Sequence, residues 1–217
     1  MFQKDWLIRQ IEMAGRVLAA IVAKAKSGQP LEALGMFDAA YQPLLGVGAK
    51  LVPVMSDDQM LDTLKPGGVP DDGRWPILVR LMTTEADLHA ELGHHEDALP
   101  RYRKALLLVI ELGGDRPSPD PEVEAHLATQ LRGYRLTPDE RAEVARLYER
   151  AGRFDDAEDA LFEGLEGERA PESLVEAATR FYRRLLERDD AELDTGGLPR
   201  DEVEAGLAEI LSRTPSV

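Results

Sequence analysis

The hydrophobic positions of this chain recur at helical spacing from one end to the other. Near the N-terminus, apolar residues three and four positions apart trace one face of a long predicted helix that ends near Gly28: Leu7, Ile11, Ala14, Leu18, Ile21 and Ala25. The alternation with a period of two that is typical of strands does not persist anywhere, and β-branched residues are few. The pattern therefore predicts an all-α fold.

Turn and capping residues divide this pattern into about ten predicted helices. Pro30 opens a second helix that we expect to continue to about Leu45, and Ser56 with Gln59 forms a capping box for a short helix near 57–64. A second capping box begins at Thr137. Further helices are predicted near 75–92, 95–112, 121–132, 138–151, 154–166, 171–188 and 199–213.

Two segments rich in glycine and proline interrupt the helices, near residues 65–74 and 113–120. The chain has 217 residues, of which 43% are hydrophobic, so it is long enough for one or two sizeable cores. We expect a single all-helical domain over residues 1–217, with these two segments as loops.

Three glycines, Gly28, Gly93 and Gly152, begin the same short pattern of side-chain sizes. A small residue follows each glycine at five positions, a larger apolar residue at nine and a small residue at twelve. These positions hold Ala33, Phe37 and Ala40; Ala98, Tyr102 and Ala105; and Ala157, Leu161 and Gly164. Spacings of four and three keep them on one helix face, while each glycine suits a left-handed turn. The pattern predicts three helical hairpins.

The hairpin sequences resemble the tetratricopeptide repeat, in which two helices join at G-x-[YF]-x-x-A and an aromatic residue and a further alanine follow. AGRFDDAEDALFEGL (151–165) and ELGHHEDALPRYRKAL (91–106) match this pattern well, and SGQPLEALGMFDAA (27–40) matches it less well. The glycines stand 65 and 59 residues apart, whereas tandem repeats recur every 34 residues. The resemblance therefore implies tetratricopeptide-repeat-like antiparallel hairpins in an irregular solenoid or a compact bundle.

A second resemblance covers both ends of the chain. MFQKDWLIRQI (1–11) and FYRRLLERDDAELDTGGLPRDEVEAGLAEI (181–210) are similar to an uncharacterised bacterial helical family. The resemblance is carried by Phe2, Asp5, Trp6, Arg9, Ile11, Phe181, Tyr182, Glu202, Val203, Gly206 and Leu207. It implies a helical fold that spans the chain, and it supplies no activity.

Composition and missing motifs exclude several classes of function. A net charge of −15 disfavours nucleic acid and anionic membrane surfaces as partners, and no run approaches the ~18 apolar residues of a membrane helix. The chain has no cysteine, which excludes disulfides and thiolate chemistry. Phosphate-binding, metalloprotease, hydrolase and calcium-loop motifs are absent from the sequence. We therefore expect a cytoplasmic protein that is not an enzyme and needs no cofactor.

Histidines cluster near the corner at Gly93, with His89 before the glycine and His94 and His95 after it. In the repeat register, His89 takes the position of Tyr148, and His95 stands where the repeat places a packed ring. The leading interpretation is that these histidines replace aromatic packing and turn residues. The alternative is a metal-binding protein or enzyme that uses Glu85, His89, His94 and His95.

Stacked hairpins would present the first helix of each pair on a concave surface. The predicted partner-binding residues on that surface are Thr83, Asp87 and Glu91 in one hairpin and Arg146 and Arg150 in another. Arg146 and Arg150 lie one turn apart and suit an acidic peptide, unless Glu149 acts as their counter-ion on a solvated face. The leading prediction is a non-catalytic interaction or scaffold protein that binds a peptide or protein there.

The N-terminal helix is the predicted surface for self-association as a homodimer, because apolar residues flank its main stripe. These residues are Phe2, Trp6, Ile8 and Val17. An apolar pocket for a small molecule between hairpins stays open as a further alternative.

Overall fold

The computed structural model describes residues 2–114, 116–165 and 170–213, with side chains from residue 6 onward. Throughout these ranges the chain forms helices joined by turns and contains no β-strand, which confirms the predicted all-α class. The contacts divide the chain into two compact units, unit 1 (Met1–Gly114) and unit 2 (Asp115–Val217). The expected single domain stays a prediction.

Unit 1 is built on a long N-terminal helix and one prominent hairpin. Its helices are α1 (Phe2–Lys26), α2 (Pro30–Leu34), α3 (Phe37–Leu45), α4 (Asp57–Leu64), α5 (Arg74–Glu91) and α6 (His95–Leu108). Helix α1 packs on α2, α3 and α5, and α5 packs along α6. Helix α6 continues into a five-residue π-helical segment, Val109–Gly113.

Unit 2 is built around α8, which packs against α7, α9 and α10, while α10 also packs on α12. The helices of this unit are α7 (Pro121–Arg132), α8 (Pro138–Arg150), α9 (Phe154–Leu165), α10 (Glu172–Leu185), α11 (Asp190–Thr195) and α12 (Arg200–Arg213). None of the helices in the described ranges of the chain has the length and apolar character needed to cross a membrane.

Both predicted capping boxes form. The Gln59 backbone N–H donates to Ser56 Oγ at 3.2 Å, and the Ser56 N–H donates back to the Gln59 side chain at 3.2 Å. The same exchange joins Thr137 to Glu140 at 3.2 and 2.9 Å. Each pair satisfies backbone donors that have no partner within the helix, which explains why α4 and α8 begin where they do.

The three glycine corners also form as predicted. Gly28, Gly93 and Gly152 have φ of 79°, 79° and 74°, in the left-handed region. After Gly93, the His94 N–H donates to the carbonyl of His89 at 2.9 Å, and after Gly152 the Arg153 N–H donates to that of Tyr148 at the same distance. These bonds across five residues are typical of a glycine-terminated helix whose chain reverses into the next helix.

The size pattern after each corner predicts that the helices approach closely. The alanines five residues after the glycines, Ala33, Ala98 and Ala157, are all fully buried. A Cβ at Gly164 would overlap the side chains of Arg141 and Leu174, so a larger residue there would force them to move. The three alanines are therefore buried, as the size pattern predicts, and the role of the small residues in close helix approach stays a prediction.

The predicted boundaries are wrong in two places. A turn at Gly35–Met36 divides the helix expected over residues 30–45 into α2 and α3. The break occurs there because glycine is a weak helix former. The helix predicted at 171–188 ends at Leu185. The side chain of Asp189 then caps a short helix, α11, which was not predicted.

A loop of unit 2 closes over the start of α9. The carbonyl of Gly196 accepts hydrogen bonds from the N–H groups of Phe154 at 2.8 Å and Asp155 at 3.2 Å. A Cβ at Gly196 would overlap the Phe154 ring, so glycine is required there. Residues from the α11–α12 connection therefore cap a helix about 40 positions earlier in the chain.

Candidate functional site

An open groove of about 130 Å³ lies between α8 and α10 in unit 2. Its lining comes from the first helix of the α8–α9 hairpin and from the helix that follows it, with Leu161 contributing from α9. The lining residues are Ala142, Glu143, Ala145, Arg146, Glu149, Leu161, Ala177, Arg180, Phe181 and Arg184. The alanines leave space between the helices, because no long side chain rises from those positions.

Three arginines with different degrees of restraint line the groove. Arg184 is fixed by two hydrogen bonds to the buried carboxylate of Glu149, at 2.8 and 2.6 Å. Arg180 forms one ion pair with the described residues, to Glu176 at 3.4 Å, and its side chain is 60% exposed. An exposed one-point pair of this kind contributes little to stability, so Arg180 can exchange its partner for another carboxylate at little expense.

The predicted partner-binding residues of unit 2 fall on two different faces. Arg146 lies in the groove, half-exposed, and pairs with Glu143 at 3.3 Å. Arg150 instead faces α7, where it donates two hydrogen bonds to the buried carboxylate of Glu124, at 2.8 and 3.1 Å. The counter-ion of Glu149 is Arg184, not Arg146 or Arg150. The structure therefore does not bring Arg146 and Arg150 together as a clamp.

In unit 1 the three predicted partner-binding residues differ in exposure. Thr83 is buried, and Asp87 is half-buried and accepts a hydrogen bond from the Tyr102 hydroxyl at 2.6 Å. Glu91 is exposed at the end of α5. Partner binding through Thr83, Asp87 and Glu91 stays a prediction.

A buried polar cluster lies beneath the corner at Gly93. Glu85 is only 2% exposed and accepts a hydrogen bond from the Tyr41 hydroxyl at 2.8 Å. Arg101 Nε lies 2.9 Å from the other carboxylate oxygen of Glu85. On the same side, His89 Nε2 lies 3.9 Å from Glu85, and His89 Nδ1 lies 4.0 Å from Asp97.

Burial sets the titration of this cluster. Loss of water raises the pKa of Glu85, and the neighbouring Arg101 guanidinium offsets part of that rise. Burial, and then repulsion by Arg101, lowers the pKa of His89 below its ordinary value of 6.5. The imidazole of His89 is therefore neutral at neutral pH.

The packing interpretation of the histidines is wrong for His95. His95 is exposed, whereas Phe154, which holds the matching position two residues after Gly152, is buried. His89 does occupy the place of Tyr148 and is half-buried there. Of the predicted metal-site residues, only His89 and His94 belong to a group among the described residues that could hold a metal ion, and its third member is Asp97, which sequence reasoning did not select. Glu85 lies 3.9 Å from His89 Nε2.

Helix α1 exposes part of the predicted self-association surface. Trp6 is 55% and Ile8 is 47% exposed, while Val17 is half-buried. The spacing places Met13, also exposed, on the same face as Trp6 and Val17. The side chain of Phe2 lies outside the described part of the chain, and the homodimer stays a prediction.

The chain belongs to DUF6483, a family of unknown function whose model matches residues 1–214. No curated protein and no solved structure matches the chain. The match includes both terminal segments that carried the resemblance to an uncharacterised helical family. The tetratricopeptide-repeat resemblance stays a prediction that the hairpin geometry is compatible with.

Proposed function

We propose that the protein is a non-catalytic interaction protein with tetratricopeptide-repeat-like hairpins, and that it binds an acidic segment of a partner protein in the groove between α8 and α10. The observation that carries the proposal is the arginine-lined groove itself. Arg146, Arg180 and Arg184 face two glutamates there, in a chain whose net charge is −15. Each of these arginines already has a glutamate partner, the third being Glu176 at the edge of the groove, so the groove lacks the excess of acidic residues that the whole chain has.

The chemistry of arginine selects carboxylates as the ligand groups. A planar guanidinium donates two parallel hydrogen bonds to a carboxylate, as Arg184 does to Glu149. Arg180 is the most exposed of the three arginines, and its current pair with Glu176 is long. A glutamate or aspartate of a bound peptide would replace Glu176 in that pair.

The shape of the groove favours an extended or helical segment over a small molecule. The groove is open along the two helices, and its alanines allow a peptide backbone to approach the helix surface. The overall negative charge of the chain repels an acidic partner at long range, and salt screens that repulsion beyond ~8 Å at physiological ionic strength. Binding is therefore expected to be modest and short-ranged.

The proposal is tested by fluorescence polarisation with a labelled peptide of alternating glutamate and alanine. Arg180→Glu should weaken binding by about tenfold or more, since a hydrogen bond to a charged group contributes roughly 1.5–3 kcal/mol. Arg183→Glu is the matched control, because Arg183 is an exposed neighbour on α10 outside the groove lining and the charge change is identical.

Two results would contradict the groove as the binding site. Equal weakening by Arg180→Glu and Arg183→Glu would show that only net charge matters. Absence of binding at submillimolar peptide, or equal binding of a lysine–alanine peptide, would remove the proposal altogether. Arg184 is unsuitable for this test, because its loss leaves the buried Glu149 carboxylate without its ion-pair partner and destabilises unit 2.

A further inference from the structure

Two histidines and an aspartate converge at the corner between α5 and α6. One ligand atom from each of His89, His94 and Asp97 lies within 4.8 Å of the other two. His89 is half-buried at the end of α5, whereas His94 and Asp97 are exposed at the start of α6. The two imidazole rings have centroids 6.2 Å apart and are tilted by 44°.

His89 presents a ring nitrogen whose hydrogen-bonding capacity is unused. Nδ1 of His89 is buried and has no hydrogen-bond partner among the described residues. The Asp97 carboxylate lies 4.0 Å from it, which is too far for a hydrogen bond. Buried polar atoms are normally satisfied, so this nitrogen has a lone pair or N–H available to a ligand.

The other side of the same ring faces a fixed carboxylate. His89 Nε2 lies 3.9 Å from Glu85, which Tyr41 and Arg101 hold in place. Histidines that bind metals commonly direct the second ring nitrogen at a carboxylate, which sets the tautomer and leaves the lone pair on the ligating nitrogen. Glu85 is the carboxylate on that side of the ring, and at 3.9 Å it would have to move closer to Nε2 to form this hydrogen bond.

In the hairpin α8–α9, an arginine side chain supplies a positive charge at the equivalent corner. Counted from the glycine, the positions of His89, His94 and Asp97 are held there by Tyr148, Arg153 and Asp156. The Arg153 guanidinium lies over the Tyr148 ring, 5.2 Å from its centroid, and also pairs with Asp156. In that corner a positive group bridges the end of the first helix and the start of the second.

We propose that His89, His94 and Asp97 bind a divalent transition-metal ion of the zinc type at the Gly93 corner. Zinc binds histidine nitrogens and carboxylate oxygens at ~2.0–2.2 Å. In a tetrahedral site the ligand atoms therefore lie ~3.3 Å from one another. The exposed side chains of His94 and Asp97 can rotate to reach that spacing from 4.8 Å. Magnesium and calcium prefer oxygen ligands and are poor candidates.

The ion would act as a clip between α5 and α6, in the role that Arg153 has in the other hairpin. The inference does not depend on peptide binding in unit 2, since each involves residues of a separate unit. The expected consequence is that zinc stabilises unit 1 by binding the folded corner and not the unfolded chain.

The test uses untagged full-length protein stripped of metal by a chelator. Zinc titration by calorimetry should give one site, and zinc should raise the thermal unfolding temperature while magnesium does not. His94→Ala and Asp97→Asn should each weaken zinc binding by tenfold or more and remove the thermal shift. His95→Ala and His126→Ala are matched controls, since each removes one exposed histidine outside the three ligands and should leave binding intact.

Cobalt provides a second readout, because a tetrahedral cobalt site has visible absorption that His94→Ala should abolish. The exposure of His94 means that this variant should fold normally, which its unfolding temperature without metal verifies. Zinc that fails to bind at micromolar concentration, binding that survives His94→Ala, or equal losses in the two control variants would each overturn the proposal.

Discussion

The corners at Gly93 and Gly152 share a backbone conformation and differ in what lies beneath them. Glu85 and Arg101 lie eight residues before and eight residues after Gly93, and they form a buried ion pair. The corresponding positions around Gly152 hold Val144 and Ala160, which are fully buried. The apolar pair demonstrates that the hairpin does not need a buried ion pair in order to form.

This difference suggests why the charges are present. Burying an ion pair is often no better for stability than an apolar pair of similar volume, because both groups lose their hydration. The Glu85 carboxylate, however, also lies 3.9 Å from His89 Nε2, which is beyond hydrogen-bonding distance. In the proposed metal site this carboxylate would lie beside the ligand His89, whereas Val144 and Ala160 have no comparable role in the second hairpin.

The largest effect is expected when the buried pair of the first hairpin is broken on one side. Glu85→Val leaves Arg101 buried without its carboxylate and should lower the free energy of unfolding by about 3–5 kcal/mol. The double variant Glu85→Val, Arg101→Ala recreates the pair of the second hairpin and should lose less than the single variant. Urea denaturation at neutral pH measures both.

Both variants also remove the acceptor of the Tyr41 hydroxyl. Adding Tyr41→Phe to the double variant removes that hydroxyl and so measures how much its lost hydrogen bond contributes. If the double variant were as unstable as Glu85→Val alone, the stranded charge would not be the cause, and the two hairpins would tolerate different residues for another reason.

A smaller and equal effect is expected at the two corners themselves. Gly93→Ala and Gly152→Ala place a Cβ on left-handed backbone and should each cost about 1–2 kcal/mol of stability. Gly15→Ala is the control, because Gly15 lies in α1 with open space around it and alanine should stabilise the helix by roughly 0.5–1 kcal/mol. Thermal or urea unfolding compares the three, and clearly unequal costs at the two corners would show that the backbone is not equivalent.

The smallest effect concerns a surface carboxylate of the second hairpin. Hydrogen bonding to Arg132 lowers the pKa of Glu163, so its folded-state pKa lies below the unfolded value of 4.5. Its contribution to stability is therefore present above pH 4.5 and is lost as the pH falls through the folded pKa. Glu163→Gln should cost about 0.2–1 kcal/mol near neutral pH, because the pair is partly exposed, and the difference from the parent should vanish in acid.

Urea unfolding at several pH values measures this difference, and Glu187→Gln, the loss of another exposed glutamate, is its control. A difference that grew in acid would reverse the sign expected from the lowered pKa.

Features governed by near neighbours in sequence could be predicted well. The capping boxes at Ser56 and Thr137, the glycine corners and the small residues after them depend on contacts within one helix or one turn. Helical spacing also identified the fold class. The break at Gly35 and the short α11 escaped prediction, because a single glycine or a short polar segment is compatible with either a helix or a turn.

Features that require distant segments to meet could not be predicted. Glu149 pairs with Arg184 from α10, and Arg150 pairs with Glu124 from α7. No spacing rule predicts either of these partners, because each lies on a different helix. The exposure of His95 and the burial of Phe154 likewise depend on what covers them, which for Phe154 is the loop at Gly196. Asp97 was overlooked because acidic residues are too numerous to single out one.

The Gly196 loop also sets a limit on modularity in unit 2. The Gly196 carbonyl accepts hydrogen bonds from the N–H groups of Phe154 and Asp155 at the start of α9. A fragment that ended after α10 would leave these two N–H groups without this acceptor and would expose the Phe154 ring. The α8–α9 pair is consequently not a portable building block. An engineered array that repeats the α8–α9 hairpin would therefore also have to include the loop at Gly196.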